Sequence, residues 1–202
     1  AYAGVVIPVL TPVEMASVDR EADVGVDVLI ERAGAAVARE AVRMMGGTYG
    51  RVVNLIAGPG NNGHDGRVAA RRLEARGARV REFPADGCPA TLPPSDLVID
   101  AAYGTGFRGS WQPPDVGGAP VLAVDIPTGV DGLTGQVHGP VLAAATTVTF
   151  AAAKPGLYLG PGRELAGEVV VADIGIDTSR ASIHRVERDD VARWLRPRVA
   201  TA

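Results

Sequence analysis

The sequence predicts an α/β domain, a Rossmann-like three-layer αβα sandwich around a mostly parallel central sheet. Short strand-like runs recur at residues 52–57, 79–83, 97–100, 121–125, 146–150 and 169–173, and the continuous apolar ones among them suit strands covered on both faces. Helical patterns separate the early runs, as in parallel strands joined by crossovers. Glycine supplies 26 of the 202 residues and clusters directly after several runs. That is roughly twice the ordinary share, placed where the strands of such sheets end.

Taken in chain order, residues 1–10 are apolar but are broken by Gly4 and Pro8 and carry no charged leader. The stretch is too short to cross a bilayer and lacks the parts of a targeting segment, so no membrane contact and a cytoplasmic location are expected. The chain does not begin with Met, which fits a trimmed piece. Thr11-Pro12-Val13-Glu14 reads as a helix start: Thr11 caps, Pro12 takes the first helical position and Glu14 closes a capping box. Residues 26–45 repeat Leu29, Ile30, Ala33, Val37, Ala41 and Met44 at helical spacing, and Gly46-Gly47 ends that helix. Two helices are therefore expected before the first strand. A third helix fits residues 65–76, stopped by Gly77. Residues 1–188 read as one domain and residues 189–202 as a C-terminal helix or linker segment.

Composition is that of an ordinary globular chain, 47% apolar and 21% charged, with a net charge of −3 and no basic run. Nucleic-acid binders normally show a basic face, so none is expected as a partner. The single Cys88 lies in the turn-like Asp86-Gly87-Cys88-Pro89 and cannot form an internal disulfide or a cysteine-based zinc site. It reads as a loop thiol.

Three glycine-rich loops carry the chemistry. Gly58-Pro59-Gly60-Asn61-Asn62-Gly63 matches G-x-G-x-x-G after a strand, and Glu82 stands near the place of a ribose-binding acid. Alone this would fit a dinucleotide dehydrogenase, but it leaves Asn61, Asn62 and Asp65 unexplained and no hydride-transfer partners are in evidence. In the longer string Gly58-Pro59-Gly60-Asn61-Asn62-Gly63-His64-Asp65-Gly66 two amides and a carboxylate stand at a helix start, beside free backbone N–H groups. Simple capping by one Asn explains part of this string and not all of it. The second loop is Asp100-Ala101-Ala102-Tyr103-Gly104-Thr105-Gly106-Phe107-Arg108-Gly109, and the third is Val124-Asp125-Ile126-Pro127-Thr128-Gly129-Val130-Asp131-Gly132. Ligands of open α/β sheets lie outside the carboxyl ends of the strands, so the three loops point at one crevice. Asp131 reads better as a turn-initiating residue bonding its own backbone; Asp100 and Asp125 read as site residues.

These three strings, in this order, resemble the NAD(P)H-hydrate epimerase family, also called the YjeF N-terminal domain, from about residue 11 to residue 177 and including Lys154-Pro155-Gly156. The resemblance implies interconversion of the R and S epimers of hydrated NADH and NADPH (NADHX and NADPHX), a homodimer, and a bound potassium ion. By matching positions Asn62, Asp100 and Thr128 would hold the ion, an all-oxygen set that suits a hard cation. Substrate contacts would fall on Asn61, Asn62, Gly63, His64 and Asp65, on Gly104, Thr105, Gly106, Phe107, Arg108, Gly109 and Ser110, and on Asp125, the candidate acid/base. A partner dehydratase specific for the S form is implied, and residues 189–198 resemble the stretch that leads into it in fused family members. His64 departs from the family's usual glycine and is read as pointing to solvent. Lys154 is expected either to meet the substrate's pyrophosphate, to pair with an Asp, or to be an exposed loop lysine. Trp111, Tyr103 and Phe107 are expected to form a pocket wall. The alternative is a non-catalytic nucleotide- or RNA-binding scaffold domain of the same fold.

Overall fold

The computed structural model describes residues 6–194. β1 (Ile7–Val9) and α1 (Pro12–Glu21) come first, then α2 (Val26–Met45), β2 (Val52–Ala57) and α3 (Asn61–Glu74). β3 (Arg79–Pro84), β4 (Leu97–Ala101), β5 (Val121–Val124) and β6 (Thr146–Phe150) follow. A single 3-10 turn at Pro155–Leu157, α4 (Gly160–Leu165), β7 (Glu168–Ala172), β8 (Ile183–Arg185) and α5 (Arg188–Trp194) complete the described chain.

Six strands form one sheet in the order β3-β2-β4-β5-β6-β7 with every pair parallel. The α/β fold class is as the sequence predicts. Chain order reverses between β2 and β4, which makes the ends of these two strands the switch point where such sheets open a crevice. The expectation that two helices precede any strand is corrected: β1 comes before α1 and pairs antiparallel with β8, from the far end of the chain. A three-residue strand containing Pro8, with its partner so distant in sequence, leaves no local periodicity to read.

The two faces of the sheet are covered differently. Val53, Leu55, Leu97, Ile99, Leu122, Val124 and Val148 pack with α2 and α3 residues such as Val37, Ala41, Ala69 and Leu73 in the main core. The opposite face, with Ile56, Val98 and Ala123, packs against connections that contribute Ala85, Leu92, Trp111 and Leu142. Connections lack the internal hydrogen bonds of a helix, so their buried carbonyls need outside donors. Buried polar side chains supply them. Asn54 on β2 donates to Pro93 O at 2.7 Å, Thr147 on β6 to Ala166 O at 2.7 Å, and Trp111 to Ala85 O at 3.2 Å. Trp111 is therefore part of this core and not a pocket wall.

α1 begins as its sequence dictates, with the Thr11 hydroxyl accepting from Glu14 N–H and the Glu14 carboxylate accepting from Thr11 N–H, the full capping box. α3 begins at Asn61, four residues before the sequence pattern places it. Glycine and asparagine hold low helix propensity, which hides this first turn from periodicity. Of the C-terminal segment assigned to residues 189–202, α5 reaches Trp194 and residues 195–202 lie outside the described residues.

Candidate functional site

The loops after β2, β4 and β5 meet around a cleft of about 740 Å³, lined by Asn61, Asn62 and Asp65, by Ala102 to Arg108, and by Asp125 and Lys154. α1 closes one side with Met15 and Asp19, and α2 adds Ile30 and Ala33.

At the floor, the chain leaves β5 through a tight turn. Asp125 has φ of +68°, and Ile126 N–H donates to Val124 O at 2.9 Å across it. Few non-glycine residues adopt this conformation, and those that do tend to mark functional sites. The strain is held because Asp125 N–H still donates to Val148 O on β6 at 2.7 Å. The next strand repeats the device: Ala151, φ +59°, follows β6, and its N–H donates to Ala172 O at 2.8 Å.

The turn breaks strand alternation and aims the Asp125 carboxyl into the cleft. There the buried Lys154 ammonium lies 2.7 Å from Oδ1. Lys154 also donates to Thr149 Oγ1 at 2.7 Å and Phe150 O at 3.3 Å, so its three N–H groups are all engaged. Of the readings open to Lys154, partnership with an Asp is the one the structure shows; it is no exposed loop lysine. Thr149 Oγ1 donates to Asp125 Oδ1 at 3.3 Å, and Thr105 N–H donates to Oδ2 at 3.3 Å. Burial alone would raise the Asp125 pKa; the Lys154 charge and these hydrogen bonds outweigh it and bring the pKa below the usual carboxylate value.

Asp65 faces the opposite electrostatics. Its side chain is buried in the first turns of α3, and among the described residues no donor reaches its carboxyl. Burial, and then the negative charge of Asp125, push its pKa up to about 8, with Lys154 opposing. Asp19 on α1 is shifted upward by the same three causes: burial raises it most, Lys154 lowers it and Asp125 raises it. The sequence reading missed Asp19. The available signal was its place four residues after Met15, on the inner face of α1.

Beneath the cleft, Asp100 at the end of β4 is fully buried. Its Oδ1 accepts from the Thr128 hydroxyl at 2.8 Å and Ala102 N–H at 3.2 Å, and its Oδ2 from Thr128 N–H at 3.0 Å. Burial raises its pKa despite these bonds. The Thr128 hydroxyl also lies 3.1 Å from Tyr103 O, so one proton serves two acceptors. Asn62 carries a buried Nδ2 without a partner among the described residues.

The remaining expected contacts divide. Thr105, Gly106, Phe107 and Arg108 line the cleft with Gly104, and Tyr103 stacks on Phe107 with ring centroids 4.3 Å apart. Gly63 is buried against the Gly58 backbone, His64 points outward to solvent, and Gly109 and Ser110 are exposed beyond the cleft lining. Asp131 is the turn residue expected, accepting from Leu133 and Thr134 N–H at 3.0 and 2.8 Å. Glu82 pairs with Arg67 at 2.8 Å and does not line the cleft.

A parallel sheet whose glycine loops set an ion-paired carboxylate over a crevice at the switch point defines an α/β domain built to bind a small molecule. The chain belongs to the family described as YjeF-related protein N-terminus, whose model matches residues 26–87 and 82–156. It is similar to a bifunctional NAD(P)H-hydrate repair enzyme, Nnr, of Thermofilum pendens, 37% identical over 80% of this chain and 39% of that protein. The enzyme of the same name from Moorella thermoacetica is 34% identical over 93% of this chain and 44% of its own length. The chain thus spans about two fifths of these curated relatives. The crystal structure of the yeast protein YNL200c shares the fold, with a TM-score of 0.65 at 24% identity, covering 81% of this chain and 86% of that one. No described helix is long and apolar enough to cross a membrane.

Proposed function

We propose that this domain epimerises the R and S forms of hydrated NADH and NADPH. The observation that carries this is the Asp125–Lys154 pair, 2.7 Å apart and open to a cleft large enough for a ring. In the hydrate, a hydroxyl-bearing carbon adjoins the ring nitrogen. The nitrogen lone pair helps expel that hydroxyl, and water returning to the other face of the planar iminium gives the other epimer. The site must then position the ring and move protons to and from oxygen. Asp125, kept ionised by Lys154, is the acid/base group. Tyr103 and Phe107 form the flat wall against which the ring packs. Arg108, exposed at the mouth, is the cation placed for the substrate's phosphates.

A potassium ion fits the residues beneath. Asp100 and Thr128 bring oxygen donors together with Tyr103 O, Asn62 would add its amide oxygen from the neighbouring loop, and the buried Asp100 charge is met in the described structure only by neutral donors. An uncompensated buried carboxylate is costly, and a monovalent cation offsets that cost without a transition-metal ligand set. When bound, the ion would stiffen the two loops and supply positive charge under the cleft. Its retention should appear in stability: melting temperature is expected to be higher in potassium chloride than in tetramethylammonium chloride, and Thr128→Ala should abolish the difference. The same reading includes a homodimer, a cytoplasmic location and an S-specific dehydratase acting next, a role supported by the bifunctional names of the relatives.

Gly104 faces both catalytic and cation residues. A methyl there would stand 3.0 Å from Asp125 Oδ2 and 3.4 Å from Asn62 Oδ1. Gly104→Ala is therefore expected to fold normally but lose at least ~10-fold in epimerisation rate, because displacements of ~1 Å are costly to positioned chemistry. Rate and melting temperature measured on one preparation check both halves.

The direct test is to incubate one purified epimer of the hydrate with the protein and follow the mixture by chromatography. Approach to the two-epimer equilibrium at a rate proportional to protein concentration is expected. An unchanged epimer would overturn the proposal.

A further inference from the structure

The cleft contains a carboxyl that the chemistry above leaves unused. Asp65 lies in the buried part of α3 yet lines the cleft, beside Ile30 and Ala33 of α2. The packing there is close, since a Cβ on Gly34 of α2 would come within 2.7 Å of Asp65 O. No donor among the described residues satisfies its carboxyl, so the structure gives it no capping or bridging task. Its charged surroundings are Asp125 and Lys154, which line the same cleft, with Asp19 of α1 subject to the same two charges. Asp100 lies below the cleft, bound to Thr128. On α2, Glu31 is engaged with Arg71 and Arg72 at 2.9 and 3.1 Å.

Two carboxyls thus line one cleft in contrasting states. Asp125 is kept ionised by an ammonium, and Asp65 is kept protonated by an apolar wall and a neighbouring negative charge. Pairs whose environments separate them in this way divide acid from base. An epimerisation that expels water from one ring face and readmits it on the other calls for a proton donor in its first half and a proton acceptor in its second.

We propose that Asp65 is a second catalytic residue, giving its proton to the departing hydrate oxygen while Asp125 takes the proton of the water that adds to the other ring face. This rests on the epimerase reading. In the first half the C–O bond breaks, its electron pair goes to oxygen, the Asp65 proton converts that oxygen to water, and the nitrogen lone pair forms the C=N bond. In the second half water forms the new C–O bond, the C=N pair returns to nitrogen, and the surplus proton passes to Asp125. One passage moves one proton from Asp65 to Asp125. The reverse passage returns it, and exchange with solvent through the open cleft resets the pair between turnovers.

The test compares wild type with Asp65→Asn, using each pure epimer and a range of pH. In wild type the rate is expected to fall above pH 8 as Asp65 loses its proton. Asp65→Asn should lower kcat by at least ~10² with little change in KM, and should lose that alkaline limb. The loss in kcat/KM must be equal in the two directions, because the solution equilibrium between the epimers is fixed. The variant is expected to fold. A carboxyl with a raised pKa destabilises the native state increasingly as pH climbs from its unfolded value near ~4 to about 8, so at pH 7 the amide should melt no lower than wild type. Carbon-13 NMR titration of the Asp65 carboxyl in folded wild type gives a measurement that needs no variant, with a midpoint near 8 expected and an ordinary carboxylate midpoint contrary. A variant with kcat within ~3-fold of wild type, or with the alkaline limb intact, overturns the role of Asp65 alone. A wild type that fails to interconvert the epimers overturns the function and this role with it.

Discussion

Asp125→Asn is expected to bind the hydrate nearly as well as wild type and to epimerise it ~10²–10⁴-fold more slowly, the ordinary worth of a positioned proton-transfer group. The amide has the same shape, and its oxygen still accepts from Lys154, which otherwise would be left buried without its partner at 2.7 Å. What is lost is basicity. A carboxylate drawn below its usual pKa by an ammonium takes a proton only transiently, which suits a group that must return it in every cycle. Binding measured by titration calorimetry and turnover measured under single-turnover conditions separate the two effects. Turnover at the wild-type rate would remove Asp125 from the chemistry.

The second large effect is expected on the fold. Gly63→Ala should destabilise the domain by at least ~3 kcal/mol, the upper end of ordinary over-packing, measured by urea unfolding. A Cβ at Gly63 would run into the carbonyl of Gly58, and a Cβ at Gly58 would run into the carbonyl of Ala102. In both cases the obstacle is backbone, which no rotamer change can move. The loop after β2 is wedged between the start of α3 and the loop after β4, and that wedge brings the first two loops of the cleft into contact. Wild-type stability in this variant would mean that the loops can separate without cost. His64, adjacent but pointing to solvent, occupies an exposed position in this string where a large side chain is harmless to the wedge.

Elements with strong local signals were legible in the sequence. The Thr11 capping box and the periodicity from Val26 to Met45 are recovered at those residues, because each is decided by contacts within a few positions. The six sheet strands were found within a residue or so at each end; in the four inner ones, burial on both faces leaves runs too apolar to be loops. β1, β8, α4 and the 3-10 turn were not found. Each is short and held by distant partners, as Gly162 N–H is held by Gly135 O at 2.9 Å. For the candidate site, position was legible wherever a glycine string marked a strand end: Asn62 and Asp125 line the cleft, and Asp100 is bonded to Thr128 of the third loop. Asp19 was not, because a helix carries no such mark. The state of Lys154 was also out of reach, since its partner lies 29 positions earlier and is reached only through the turn at Asp125. The burial of Trp111 depended on a loop layer whose path no periodicity describes.

The pairing of β1 with β8 gives the domain a short mechanical linkage. Ile7 to Val9 lie against Ile183 to Arg185, while Leu10 N–H donates to Ala153 O and Ala153 N–H to Pro8 O, each at 2.9 Å. Ala153 immediately precedes Lys154, and Leu10 leads within one residue into the cap of α1, which carries Asp19. β8 is thus joined through β1 both to the residue before the Lys154 ammonium and to the segment that leads into the cleft-side helix. In this architecture the first and last described strands are stitched together directly beside the segment that carries Lys154.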